Sequence, residues 1–287
     1  MGANPYTYTR TGVMSLGVFA VGTRPVLSPL LVSPKVFLQG NYIISGVMTD
    51  GLRSLNLIPL SEPYSALTMI TPTLRGSGGG ETSVASVIGS AAGLASNTTA
   101  VDWVLAQLHR AADGIVVSQR AVLLLRNGTV VETDGITPVN FAGNAAGAYY
   151  VSIRHRNHLG VRSAGTFSLA KTTSTTYDFT TGLGQAFAGA VTNNAMASLT
   201  PTVFGLWAGD ATGNRVVRLS GGGNDLNQIL NTTLGGIVGG SVTSTYNRSD
   251  LNLNGTVRFT GGGNDANILI NVALAGNVGA SITQPNF

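Results

Sequence analysis

The chain has 287 residues, of which 10% are charged and 43% hydrophobic, with 39 glycines, no cysteine and a formal net charge of +4. This much apolar surface excludes charge-driven disorder, and the missing cysteines exclude disulfides and thiolate metal sites. A charge content far below the roughly 25% of average soluble proteins also argues against an ordinary cytosolic enzyme.

Taken in chain order, no apolar run reaches the roughly 18 residues of a membrane span, so no span is expected. The best run, Val13 to Gly22, lacks the basic flank and small-residue cleavage site of a signal peptide, and reads as structure rather than address. Within it Leu16, Val18 and Ala20 alternate with Gly17, Phe19 and Val21. Apolar residues on both faces mark a strand covered on both sides. Pro25, Pro29 and Pro34 then favour an extended connector, so residues 1–34 are expected to form an N-terminal extension.

Residues 35–181 carry strand and turn signals spaced as in a β-sandwich of immunoglobulin-like type. Strands are predicted at Val36 to Leu38, Ala100 to Leu108, Ala121 to Leu125 and Tyr149 to His155. Alternation within Ala100 to Leu108 places Asp102 outward, and Asp134 reads as part of a turn. Asn127-Gly128 predicts a type I′ hairpin. Between Gly40 and Thr99, Pro59, Pro63, Pro72 and a glycine run from Gly76 to Gly80 predict an elaborate loop region. Residues 182–199 read as a connector.

Residues 200–287 hold an internal repeat with a forty-residue period. Asp210 to Asp225 (DATGNRVVRLSGGGND) returns as Asp250 to Asp265 (DLNLNGTVRFTGGGND). Each copy enters an apolar segment, Leu226 to Leu234 or Ala266 to Leu274, that suits a short helix capped by the preceding Asn-Asp pair.

Several motifs resemble a β domain common in secreted and surface proteins of Bacteroidota. They are Lys35 to Gly40 (KVFLQG), Ile58 to Tyr64 (IPLSEPY), Val101 to Leu105 (VDWVL), Arg154 to Val161 (RHRNHLGV) and the Leu206 to Asp210 entry (LWAGD). The resemblance runs from about Pro34 to the C-terminus. It implies an extracellular or cell-surface protein that ends in a pair of dockerin-like loop-helix repeats. Members of that group often end in a type IX secretion sorting domain, and nothing after Gly279 resembles one.

Calcium is the best-supported ligand on spacing. Asp250, Asn252, Asn254 and Thr256 offer oxygens at alternate positions, as in an EF-hand loop, and Asp265 can close the shell. Asp210, Thr212, Asn214, Val216 and Asp225 form a weaker first copy. Two carboxylates per loop imply weak binding, suited to extracellular calcium; the alternative is a pair of turns in which Asp and Asn satisfy their own backbone. His155 and His158 lack the partners of a metal or hydrolase motif and read as strand-end residues bonded locally. There is no G-x-S-x-G elbow, and the scattered arginines lack a phosphate-tracking stripe, which argues against nucleic acid. The expected function is therefore structural rather than enzymatic. The chain is expected to be a subunit of an extracellular filament built from copies of itself, with Leu16, Val18, Phe19, Ala20 and Val21 donated as a strand to the next copy. The alternative is an adhesin or carbohydrate-binding module for surface glycans, stacking on Trp103, Trp207, Tyr149 and Tyr150.

Overall fold

The structure, a computed structural model, describes residues 29–70, 78–93 and 95–287; the expected assembly strand at Leu16, Val18, Phe19, Ala20 and Val21 lies outside them. The fold is mainly β, with 33% strand and 15% helix. The first strand, β1 (Leu31–Lys35), already belongs to the main core, since Val32 and the preceding Leu30 are fully buried. Pro34 pairs there with Tyr177 in a parallel ladder, two positions past the last residue matched by the strand on its other side. A proline is tolerated in such a half-paired stretch, where its missing N–H costs little.

The loop region expected after Gly40 contains the hairpin β2 (Tyr42–Ile43) and β3 (Val47–Met48), and the one-turn helices α1 (Gly51–Ser54) and α2 (Ala85–Ile88). It is fastened to the sheet beneath it. The Trp103 indole donates to the Pro59 carbonyl at 2.8 Å, and the Tyr64 hydroxyl donates to the Trp103 carbonyl at 2.7 Å. The Glu62 carboxylate organises the loop by accepting the N–H groups of Tyr64, Ser65 and Gly80.

Next come β4 (Ala100–Arg110), β5 (Val116–Leu125), β6 (Val130–Val131), β7 (Val139–Asn140), β8 (Gly147–Arg154), β9 (Val161–Arg162), β10 (Phe167–Leu169) and β11 (Thr175–Asp178). Six of them form a sheet in the order β10-β8-β4-β5-β6, with β9 beside β8, and a second sheet runs β11-β1-β7. Both sheets contribute to one hydrophobic core, consistent with a sandwich. Every residue of β4 except Arg110 is buried. The outward placement of Asp102 is thus corrected: its side chain is fully buried, because a C-terminal segment carrying Tyr246 covers that face. The hairpin after β5 is also corrected. Within its loop only Gly128 has a positive φ, 86°, and its N–H returns to the Leu125 carbonyl at 2.8 Å. This is a three-residue connection ending in a left-handed glycine rather than a type I′ turn.

After the hairpin β12 (Ala197–Thr200) and β13 (Val203–Gly205), the repeats each supply two short strands flanking a helix. The first has β14 (Val216–Arg218), α3 (Asp225–Asn227) widening into π turns over Gln228–Thr233, and β15 (Ser241–Thr243). The second has β16 (Thr256–Arg258), α4 (Asp265–Asn267) continuing over Ile268–Ala273, and β17 (Ser281–Thr283). Asn224 and Asn264 cap these helices as expected, accepting from Asn227 and Asn267. The pairing is cyclic. β15 pairs with β16, and β17 returns to β14 in the equivalent register, so Val217 faces Ile282 as Val257 faces Val242. Val217, Ile229 and Leu234 then share a second core with their counterparts Val257, Leu269 and Leu274. Burial contributes about 1.5–3 kcal/mol for each such side chain, so each repeat depends on the other for its apolar face.

Candidate functional site

The densest cluster of chemistry-bearing side chains lies where the β domain meets the repeats. It forms because β8 ends in Arg154 and the chain then turns through His155, Arg156, Asn157 and His158, all buried. Asp102 of β4 receives four donors. Its Oδ1 accepts from the Tyr246 hydroxyl at 2.6 Å and the Trp103 N–H at 2.7 Å; its Oδ2 accepts from Arg156 Nε at 3.0 Å and His155 Nε2 at 3.1 Å. Arg156 covers the Tyr246 ring 4.3 Å from its centroid and donates to the Asn247 carbonyl. Asn157 Nδ2 donates to the Arg248 and Asp250 carbonyls at 3.0 and 2.7 Å, while Arg248 Nε donates back to the Arg156 carbonyl at 2.9 Å. Arg156 and Asn157 therefore fasten the repeats to the β sheet.

Donor accounting fixes the imidazoles. His158 Nε2 accepts the Gly40 N–H at 3.1 Å, so its Nδ1 carries the proton and faces Asn157 Oδ1 at 2.8 Å and His155 Nδ1 at 3.1 Å. His155 Nδ1 is then the acceptor, and its Nε2–H donates to Asp102. Electrostatics agree with two neutral rings. Burial lowers both histidines; His158 is also lowered by His155 and Arg156, whereas the Asp102 contacts partly offset the shift of His155. Burial pushes Asp102 up, but Arg156, His155 and Tyr246 together hold it down at about 2. Burial also drives the Tyr64 and Tyr246 hydroxyls well above their usual range. An ionised carboxylate with every lone pair directed at a fixed donor makes a strong structural fastener.

The expected calcium residues lie in the two repeat loops beside this seam, and their carboxylate oxygens accept backbone amides. Asp250 accepts the Asn254 and Gly255 N–H groups at 3.1 and 2.8 Å; Asp265 accepts those of Leu251 and Arg258 at 2.7 and 2.9 Å. In the first copy Asp210 accepts Arg215 N–H at 3.1 Å, and Asp225 accepts Thr212 and Arg218 N–H at 3.1 and 3.0 Å. Asn252 and Asn254 both donate to the Gly263 carbonyl, and Asn214 to that of Gly223. Thr256 and Val216 begin β16 and β14, donating their N–H groups to Asn254 and Asn214. Burial raises Asp225 and Asp265 to about 7 and Asp250 to about 6, with Asp210 also raised, in each case against the pull of the amide donors. This arrangement is that of carboxylates stapling loops through backbone amides. Among the described residues no group of three or more His, Asp or Glu side chains converges as a metal shell would.

Of the aromatic residues considered for glycan stacking, Trp103 is core and the Tyr150 ring is covered by the Arg162 guanidinium at 4.4 Å. Trp207 donates its indole N–H to Asn194. Asp134 is in a turn, as expected, accepting the Ile136 and Thr137 N–H groups. No protein-family model, curated protein or solved structure matches the chain.

The Asp102 cluster was missed at the level of sequence. The available signal was the run Arg154-His155-Arg156-Asn157-His158 directly after a strand, which holds two of only three histidines.

Proposed function

We propose that this chain is a structural subunit of an extracellular filament or surface appendage, assembled head to tail by adding residues 16–21 of one copy as a strand to the next. The observation that carries this reading is a groove of about 570 Å³ beside β7 and the start of β1, lined by Pro29, Leu31, Arg120, Pro138 and Asn140. Two of those residues each keep one buried polar atom without a hydrogen-bond partner, Arg120 Nε and Asn140 Oδ1. An extended strand brings a carbonyl for the first and an N–H for the second, with apolar side chains for the proline-lined walls. Scarce surface charge supports the same reading, because it leaves large areas free to be covered by neighbours.

Truncation tests it. The cut belongs after residue 28, because Leu30 is part of the core. The full chain should form filaments visible by negative stain, and the truncated chain should stay a folded monomer in light scattering. Polymerisation that survives the truncation refutes strand donation.

A further inference from the structure

A second cleft, of about 440 Å³, opens between the β domain and the repeats, with His155 and His158 at its wall. Three arginines line it: Arg154 from β8, Arg215 from the first repeat loop and Arg248 from the connection between repeats. Arg154 Nε is held by Gln107 Oε1 at 2.8 Å, and its guanidinium lies 5.0 Å from the centroid of the Phe287 ring, with Nη2 3.5 Å from the Phe287 oxygen. Arg248 is held through Nε by the Arg156 carbonyl. Room for Arg248 comes from Gly213, at φ 75°, where a Cβ would collide with the guanidinium. Arg154 and Arg248 are therefore fixed by their stems, as residues of a built site are.

Their charge is only partly offset, by the attraction of Asp210 and Asp225 for Arg248. No carboxylate among the described residues forms an ion pair with any of the three. Among the described residues Asp210 is the sole acid lining the cleft; its Oδ2 accepts the Arg215 N–H, and its charge is felt by Arg248. Burial, and secondarily the charge of Arg215, pull Arg154 down to about 10, so a further anion between Arg154 and Arg215 would relieve their repulsion. The two histidines contribute no charge, since both are buried with their ring nitrogens engaged. Three arginines against one lining acid leave a positive excess that suits a doubly charged group better than a single carboxylate, and guanidinium forks suit tetrahedral oxyanions. The volume exceeds what an isolated ion fills and falls in the range of small-molecule sites.

We propose that this cleft binds a sulfate or phosphate group, free or carried on an acidic saccharide. The site is independent of filament assembly.

Calorimetric titration of the full chain with sodium sulfate, sodium phosphate and a sulfated oligosaccharide tests this. Saturable binding is expected, weakened at least about tenfold by Arg154→Gln and by Arg215→Gln, since each removes charge-assisted donors. Arg215 is exposed, so its variant keeps the test open if Arg154→Gln fails to fold. Arg110→Gln, outside the cleft, should leave binding unchanged. Binding of all three probes identifies the oxyanion itself as sufficient, and binding of the oligosaccharide alone identifies a carried group. Absence of saturable binding to every probe overturns the proposal, as does equal weakening by Arg110→Gln and Arg215→Gln.

Discussion

Replacing Asp102 by Asn removes the charge at the centre of the seam while keeping its shape. Asp102 and Arg156 have side-chain exposures of 0% and 1% and lie 3.0 Å apart. The substitution leaves Arg156 as a buried cation without its counter-ion, and breaking a buried pair in this way costs about 3–5 kcal/mol. The asparagine also turns a donating NH2 toward some of the four donors that the carboxylate satisfies, so the upper half of that range is expected. At about 2–4 °C per kcal/mol for a chain of this order of size, the thermal midpoint should fall by roughly 10–20 °C. Urea unfolding followed by circular dichroism gives the free energy directly. A double-mutant cycle with Arg156→Met separates the pair from its surroundings: the double variant should be less destabilised than the sum of the singles, by about 1 kcal/mol or more. A loss below about 1 kcal/mol for Asp102→Asn, or strict additivity in the cycle, refutes the fastener.

Two further outcomes follow from the same electrostatics. Burial holds His109 down at about 4, against 6.5 for a free imidazole. The unfolded chain therefore binds the extra proton first, and stability is lost as pH falls from 6.5 toward 4. His109→Gln should remove about 2 kcal/mol of that loss by pH 5. The raised carboxyls of the repeats act in the opposite sense but are common to both proteins, so the difference between them isolates the histidine. Equal pH slopes for wild type and variant would contradict this assignment. For the repeat loops, the amide staples predict that a chelator leaves the thermal midpoint unmoved; a midpoint raised by millimolar calcium and lowered by its removal would show instead that the loop from Asp250 to Asp265 holds an ion.

The parts of the fold that were legible in the sequence are those governed by local chemistry. The helix caps at Asn224 and Asn264 and the turn at Asp134 depend on hydrogen bonds within a few residues. The forty-residue repeat was equally plain, because it needs only self-comparison. Alternation failed at Asp102, since a strand covered on both faces carries no outward side. Proline misplaced the start of the β domain, because Pro34 is excluded only from fully paired strands. The seam was invisible for a different reason. His155 lies fifty-three positions from Asp102, and Tyr246 one hundred and forty-four, so only the folded sheet brings them together. The cyclic closure of the repeats was likewise beyond periodicity, which predicts two similar units without saying that β17 returns to β14.

The low charge content acquires a more specific meaning from where the acids lie. Six of the twelve, Glu62, Asp102, Asp210, Asp225, Asp250 and Asp265, are buried. Half of an already small set is thus spent on interior hydrogen bonds, and the surface is poorer in acids than composition alone indicates. Burying a carboxylate is costly unless its oxygens are satisfied. Asparagine, with one acceptor oxygen, would spare the charge but could not receive the two amides that Asp265 takes from Leu251 and Arg258, one on each oxygen. An aspartate is therefore the smallest side chain that joins the start of the loop to the strand that follows it. The same logic holds at Asp102, where four donors converge on two oxygens. Retaining acids as internal fasteners leaves apolar residues such as Ile44, Ile136 and Val278, which are 89%, 81% and 69% exposed, on a surface with few charges between them. Isolated exposed apolar residues are ordinary; on a surface this poor in charge they are well suited to contacts between copies of the chain.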